Sequence, residues 1–336
     1  MLKGLLVANA FLRTEKFVEH YQWLEEAAGR RNIVLSLFDN AGLLSVVGKD
    51  GSAIKRIAGE YDFVIFWDKD IRQGKQLEWE CRRRGVPVFN SIDAVAACDD
   101  KFETCLRLAR WNEEAAPEEK IAMPATIAAP MTYENIGYTS LGFVDRVIGE
   151  LGLPLVVKEC FGSFGMQVYL APSRQEVLAL TERLAGKPFL YQEYLAASSG
   201  RDVRLEVVGN RVVAGMYRFS GTGDFRANIT NGGSMRPYSP SVREQALALR
   251  AARALGLDFA GVDLLFSEEK EALVVCEVNS NAHFKNMYLC TGVNVAEEIM
   301  EYIVQKVGDR EGMGSNGRKC EEMCVSYLPG ERSRKK

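Results

Sequence analysis

Two short apolar stretches near the C-terminal end carry acids inside otherwise core-like strands. They are Gly261-Val-Asp-Leu-Leu-Phe266 and Ala272-Leu-Val-Val-Cys-Glu-Val-Asn279, separated by the charged turn Ser267-Glu-Glu-Lys-Glu271. Side chains alternate faces along a strand, so Glu277 and Asn279 point the same way. A hairpin turning about Lys270 sets Asp263 opposite Glu277 on that face. Burying acids among Val, Leu and Phe is costly unless a metal or cations compensate. Two carboxylates and an amide oxygen make an all-oxygen set suited to Mg²⁺ held partly by nucleotide phosphates. The plain alternative is a two-stranded edge with its polar residues in water. Clustering of the acids on one face favours the metal, with Asp263, Glu277 and Asn279 as its candidate ligands.

A chain of 336 residues has room for two or three domains with ample core. Its formal net charge of -3 argues against a general nucleic-acid binder. No apolar run approaches the roughly 20 residues of a membrane-crossing helix. The opening Met1-Leu-Lys-Gly-Leu-Leu-Val-Ala-Asn9 is too short in its apolar part for a signal peptide and reads as a first strand. Nothing marks export. The scattered cysteines therefore read as reduced thiols of a cytoplasmic protein, and Cys320-Glu-Glu-Met-Cys324 lacks a second ligand pair for zinc.

Along the first ninety or so residues strands alternate with helices. Leu5–Ala8, Ile33–Phe38, Tyr61–Trp67 and Val86–Phe89 read as strands, and Thr14–Ala28 and Leu77–Arg84 as helices. Such alternation builds an open parallel sheet, an α/β fold. No Gly-x-Gly-x-x-Gly follows the first strand, which excludes a dinucleotide site there. Asp99-Asp100-Lys101 opens a helix, and Leu153–Lys158 is a buried strand ending in a cation. The turn Gly162-Ser163-Phe164-Gly165 follows, a hairpin whose backbone amides can approach phosphates, with Lys158 as a point charge beside them.

The strand Phe189-Leu-Tyr-Gln192-Glu193-Tyr194-Leu195 offers backbone groups and apolar neighbours to an adenine ring. Asp202 and Arg204 share a face of the next strand, which turns at Gly209-Asn210. The glycine-rich polar loop from Gly221 to Gly233 is of the kind that carries function, and its Arg226 and Asn228 are donors suited to a phosphoryl oxygen. A helix from Val295 to Val307 precedes a polar tail.

Taken in order, these pieces resemble the ATP-grasp superfamily, most closely the RimK-like carboxylate–amine ligases. The matching run comprises Asp100-Lys101, Val157-Lys158 with its glycine loop, Gln192-Glu193-Tyr194, Asp202-Val-Arg204, Gly223-Asp-Phe-Arg226-Ala-Asn228, Ala260-Gly-Val-Asp263 and Glu277-Val-Asn279. The resemblance implies an ATP-grasp fold behind a Rossmann-like first domain. It implies divisions at 1–95, 96–187 (the Gly-loop subdomain), 188–307 (the metal-bearing subdomain) and 308–336 (a mobile tail). It also implies site roles. Lys101, Lys158 and the loop Gly162, Ser163, Phe164 and Gly165 meet phosphates. Glu193, Tyr194 and Leu195 meet adenine and Asp202 the ribose, with Gln192 and Arg204 also in the nucleotide site. Arg226 and Asn228 meet the transferred phosphoryl group. Asp263, Glu277 and Asn279 bind Mg²⁺, with Mn²⁺ as a substitute.

The implied chemistry activates a small-molecule or peptide carboxylate as an acyl phosphate, which an amine then attacks to give an amide, ADP and phosphate. Partners are those substrates, with no nucleic acid or membrane, and a homo-oligomer is compatible. The alternatives are an ATP-binding protein of the same fold without ligase activity, and an ATP-grasp phosphotransferase. One departure stands out. Many relatives continue Glu-Val-Asn with Ala/Ser-x-Pro-Gly, where this chain has Ser280-Asn281-Ala282-His283-Phe284. His283 therefore either touches substrate or guides a proton, or is merely structural.

Overall fold

The computed structural model describes residues 1–48, 52–162, 165–227, 229, 232–268 and 272–314, with the backbone alone described over 310–314. Ser163, Phe164, Asn228, the Glu269–Glu271 turn, Cys320, Cys324 and the tail from 315 lie outside the described residues.

The first ninety-nine residues run β1 (Lys3–Ala8), α1 (Glu15–Gly29), β2 (Val34–Asp39), α2 (Ala53–Ile57), β3 (Phe63–Phe66), α3 (Ile71–Arg82), β4 (Val88–Phe89) and α4 (Ile92–Asp99). The strands form one sheet ordered β2-β1-β3-β4, and every pairing is parallel. Buried on both faces, β3 is a continuous apolar run, as parallel strands require. Helix α3 begins six residues before the expected Leu77 because the Asp70 carboxylate caps it by accepting from the Gln73 N–H.

A second, antiparallel sheet ordered β5-β8-β6-β7 follows α5 (Lys101–Glu114). Its elements are β5 (Thr126–Ala128), α6 (Phe143–Leu151), β6 (Leu155–Glu159), β7 (Val168–Ala171), α7 (Arg174–Arg183) and β8 (Phe189–Glu193). Strand β8 pairs with β5 and β6, so the chain changes sheets after Glu193 and not at residue 188.

The third sheet is antiparallel and ordered β11-β10-β9-β12-β13. It is built from β9 (Arg201–Val208), β10 (Arg211–Ser220), β11 (Gly233–Pro237), β12 (Phe259–Ser267) and β13 (Ala272–Asn279). Helix α8 (Val242–Ala254) covers one side and opens with a reciprocal Ser241–Glu244 capping box. Helices α9 (Lys285–Thr291) and α10 (Val295–Gly314) close the described chain, and α10 runs seven residues past the expected Val307. No helix among the described residues is long and apolar enough to cross a membrane.

The first and third sheets share one core. Trp67 after β3 stacks on Phe259 of β12 at 5.8 Å and lies edge-on to Phe284 just before α9. Asn90, fully buried after β4, ties these parts together. Its Nδ2 donates to the carbonyls of Phe259 (2.9 Å) and Ser280 (3.0 Å), while its Oδ1 accepts from the N–H groups of Asp258 (2.7 Å) and Phe259 (3.2 Å). A second tie is His20 of α1, whose ring accepts from the Phe284 N–H at Nε2 (3.0 Å) while Nδ1 meets the Lys16 carbonyl at 2.6 Å. That pattern requires the neutral ring, and burial lowers its pKa to about 4.

These ties yield two expectations. Asn90→Ala leaves buried backbone groups unpaired and should lower unfolding stability by roughly 3 kcal/mol or more, read from denaturant midpoints; an unshifted midpoint contradicts the role. For His20 the folded pKa lies below the unfolded one, so its stabilisation is complete above about pH 6.5 and fades as pH falls toward 4. The loss, complete once the folded ring is protonated as well, is roughly 3 kcal/mol. His20→Gln should flatten that part of the stability–pH curve, and an unchanged slope would refute it.

Candidate active site

Where the three sheets meet lies a cleft of about 560 Å³. Every sequence-expected site residue within the described chain lines it. Capping explains the position of Lys101: the Asp100 carboxylate accepts from the Phe102 and Glu103 N–H groups, which starts α5 at Lys101. The Lys101 ammonium then reaches across to the Gly162 carbonyl (2.9 Å) at the root of the glycine loop, and burial lowers its pKa. On the loop's far side the Gly165 carbonyl accepts from Arg226 Nη1 at 2.8 Å, and the Asp224 carboxylate holds the same guanidinium. The glycine loop and the polar loop after β10 are thus latched together.

Lys158 enters the cleft from β6 and donates to Gln192 Oε1 at 2.6 Å; Gln192 in turn donates to Thr126 Oγ1. Gln192 is almost fully buried and positions the lysine from the cleft wall. Glu193 also lines the cleft, its carboxylate accepting from the Ala125 N–H at 3.0 Å. Tyr194 and Leu195 line the cleft where the chain leaves β8. Burial pulls the Lys158 ammonium down, but Cys276 and Glu277 beside it reverse the sign and leave its pKa raised.

Cys276 was not among the expected residues, because alternation places it on the face opposite Glu277. Near the turn, Ser267 pairs with Ala272 and Leu264 with Val275, yet Asp263 pairs with Glu277. Cys276 is therefore the extra residue of a β-bulge, and the bulge brings it into the cleft within 3.5 Å of Lys158 Nζ. Burial pushes its thiol up to about 11, so it is a neutral wall of the site.

The floor of the cleft is a buried chain of alternating charge. Asp202 of β9 takes both N–H arms of Arg218 from β10 (2.6 and 2.7 Å), and Arg218 reaches on to Asp263 Oδ1 at 3.0 Å. Asp263 of β12 is also gripped by Arg204 through two 2.6 Å bonds. The acids expected to need a metal or cations are thus met by cations. Both Asp202 and Asp263, expected as free carboxylates for ribose and metal, are closed by arginine. Burial outweighs Arg218 and raises Asp202, whereas two arginines hold Asp263 below the usual carboxylate range despite its burial.

Arg218 was missed by sequence reading. Counting back from the Gly209-Asn210 turn sets Tyr217 opposite Asp202. A bulge between Val212 and Ala214 shifts the register by one and brings in Arg218 instead. One acid of the same β9 face, Glu206, stands apart: it is buried, its pKa is raised to about 7 by that burial, and its Oε1 has no hydrogen-bond partner.

Glu277 and Asn279 line the cleft from β13, and Asn279 Nδ2 makes a long 3.5 Å contact to the Gly261 carbonyl. Among the described residues no three His, Cys, Asp or Glu side chains are gathered tightly enough to hold a metal unaided. A carboxylate and an amide oxygen, with the Asp263 carboxylate opposite, nevertheless suit an ion such as Mg²⁺ that completes its shell with phosphates and water.

The end of the cleft nearest the first sheet has another character. Asp68 is buried, its Oδ1 accepting from Asn9 Nδ2 and the Lys69 N–H while Oδ2 has no partner, and burial raises its pKa. Asn281, whose Nδ2 donates to the Asp68 carbonyl, also leaves its oxygen unpartnered. His283 lies edge-on to His20 at 4.4 Å and to Phe17 at 4.9 Å, and burial lowers its pKa to about 2. It is a neutral ring in an aromatic wall, a poor proton carrier near neutrality.

Comparison with known proteins agrees with this geometry. A family model described as the RimK-like ATP-grasp domain matches residues 99–303. A probable alpha-L-glutamate ligase 1 of Shewanella frigidimarina is 35% identical over 84% of this chain and 91% of its own. A probable alpha-L-glutamate ligase of an Enterobacter species (strain 638) is 40% identical over 83% and 90%. Among solved structures, the ATP-grasp ligase PsnB bound to a minimal precursor superposes with a TM-score of 0.64 at 16% identity, covering 91% of this chain and 99% of its own. The D-alanine–D-alanine ligase of Bacillus anthracis bound to ATP does so with 0.64 at 13% identity, covering 94% and 100%. These two likenesses speak for the fold. With the family model spanning most of the chain behind its first sheet, and with relatives matched over most of their length, the chain belongs to the RimK-like ATP-grasp family of ligases.

Proposed function

We propose that this chain is an ATP- and Mg²⁺-dependent carboxylate–amine ligase working through an acyl phosphate. The observation that supports it most is the meeting, in one cleft, of three cations on exchangeable acceptors with the Glu277–Asn279 oxygen pair. A substrate carboxylate oxygen attacks the γ-phosphorus and the bond to the ADP oxygen breaks. The amine nitrogen then adds to the acyl carbon, loses a proton, and phosphate departs with the C–O bond electrons. No side-chain nucleophile is needed; positioning and charge neutralisation do the work.

Lys101 and Lys158 serve the phosphates, each exchanging a protein oxygen for a phosphate oxygen. Tyr194 and Leu195 flank adenine. Arg226 holds the glycine loop over the reacting groups and so excludes water, which would otherwise hydrolyse the acyl phosphate. Glu277 and Asn279, with Asp263, would hold Mg²⁺, or Mn²⁺ in its place, and the ion would offset negative charge on the nucleotide phosphates. The unpartnered oxygens of Asp68 and Asn281 suit the N–H donors of the amine substrate. The name carried by the relatives makes L-glutamate the first amine to test.

The decisive experiment screens carboxylates and amines for phosphate release, identifies the product by mass spectrometry, and traps the activated acid with hydroxylamine. A hydroxamate formed only with ATP and the carboxylate supports ligation. Phosphate transfer to a hydroxyl acceptor, or nucleotide binding without turnover, overturns it in favour of a phosphotransferase or a binding module. With the substrates in hand, Glu277→Gln should cut turnover by about 100-fold or more; unchanged turnover removes Glu277 from the site. Lys158→Ala should raise the KM for ATP by about tenfold or more, and an unaltered KM would exclude its phosphate contact.

A further inference from the structure

We infer that Glu206 is a second seat for the Arg204 guanidinium, occupied when a divalent cation and nucleotide come to Asp263. The inference rests on the metal reading above and concerns how this chain makes that ligand available. Asp202, Arg204 and Glu206 alternate along β9 and share a face. Across the strand pair, Arg204 faces Asp263 and Glu206 faces Gly261. The missing side chain at Gly261 leaves the space the Glu206 carboxylate fills: a Cβ there would lie 3.3 Å from Glu206 Oε1 and 2.5 Å from Ala282 Cβ.

Glu206 is 3% exposed, and a small void of about 10 Å³ lies against it and Ser280, whose Oγ is also unpartnered. A buried carboxylate with an empty oxygen is costly to keep, and the largely apolar surroundings supply no charged donor. The group within reach that can supply one is Arg204, two residues away on the same face.

Asp263 presents the complementary problem. Three of its roughly four acceptor directions are taken by Arg204 and Arg218. A dication brought to the remaining one meets two guanidinium groups at short range, a strong repulsion in a dry site. Moving Arg204 to Glu206 frees Asp263 oxygens, relieves the repulsion and satisfies Glu206 in one step. Arg218 stays, anchored by both oxygens of Asp202. The apo state leaves Glu206 without a charged partner, and the loaded state gives it Arg204 while the cation takes the place of Arg204 at Asp263. Glu206 is a positioning residue, acting on the metal through Arg204.

The test is Mn²⁺ binding in the presence of ADP, followed by the loss of the free-ion electron paramagnetic resonance signal, on the full chain and its variants. Glu206→Gln should weaken Mn²⁺ binding by about tenfold or more, the scale seen when a supporting partner of a metal site is lost. Its thermal stability should be unchanged or raised, because an unpaired buried acid has been neutralised. Glu206→Asp should recover part of the affinity. Wild-type affinity in the glutamine variant overturns the exchange while leaving the metal site standing. A wild-type chain that binds no Mn²⁺ with ADP overturns the metal site and the exchange together. Equal losses of affinity and thermal stability in Glu206→Gln, or no gain from Asp over Gln, mark a structural role and also overturn it.

Discussion

Asp202, Arg218, Asp263 and Arg204 form a continuous run of opposite charges across three adjacent strands, nearly sealed from water. Each of these groups alone would be prohibitive to bury; together each compensates its neighbours, and the bidentate geometry fixes their directions. Such a network contributes little net stability relative to an apolar floor. What it provides is a polar floor of defined orientation under a cleft that must bind a highly charged ligand. The oxygen pair on β13, the lysines of α5 and β6, and the latch at Arg226 are all arranged around it.

A common logic runs through the site's cations. Lys101 rests on a backbone carbonyl, Lys158 on a glutamine amide, and Arg226 partly on the carbonyl of Gly165. Neutral oxygens hold the two lysines in place more weakly than an anionic oxygen would, whereas Arg226 is also bound by the Asp224 carboxylate. The cleft is therefore preorganised, and little side-chain entropy remains to be lost on binding. Its edges are equally determined. The first sheet is bound to the third by the Asn90 hydrogen bonds, the Trp67–Phe259 stack and the His20 bond to Phe284. The loop bearing Asn281 and His283 is thereby held between them.

Much of this was legible in the residues themselves. The β-α alternation of the first sheet, the helix opening at Asp100, and the placing of both lysines follow from local rules that operate within a few residues. The ordered motifs identified the family, and the pairing of Asp263 with Glu277 is as expected. Its cause is different: the strands near the turn pair about a point before Lys270, and the bulged Cys276 supplies the missing residue. The helix starting at Ile71 and the strand β8 in the second sheet were less legible, since a side-chain cap and a sheet partner extended or reassigned them.

By itself, then, the sequence determined which elements form, which faces carry charge, and that two carboxylates and an amide belong to one oxygen-rich site. Those properties depend on period and composition, which are local. Only the tertiary structure decided who partners whom. Two single-residue bulges brought Arg218 to Asp202 and Cys276 to Lys158, and neither could be counted from its turn. Pairing of β8 with β6 set Gln192 against Lys158 and made it the support of that lysine. Glu206 was left unpaired because its cross-strand neighbour is a glycine, a fact that acquires meaning only once β9 and β12 lie side by side. Register and packing are set by the whole fold, and a one-residue shift in either changes the chemistry of the site.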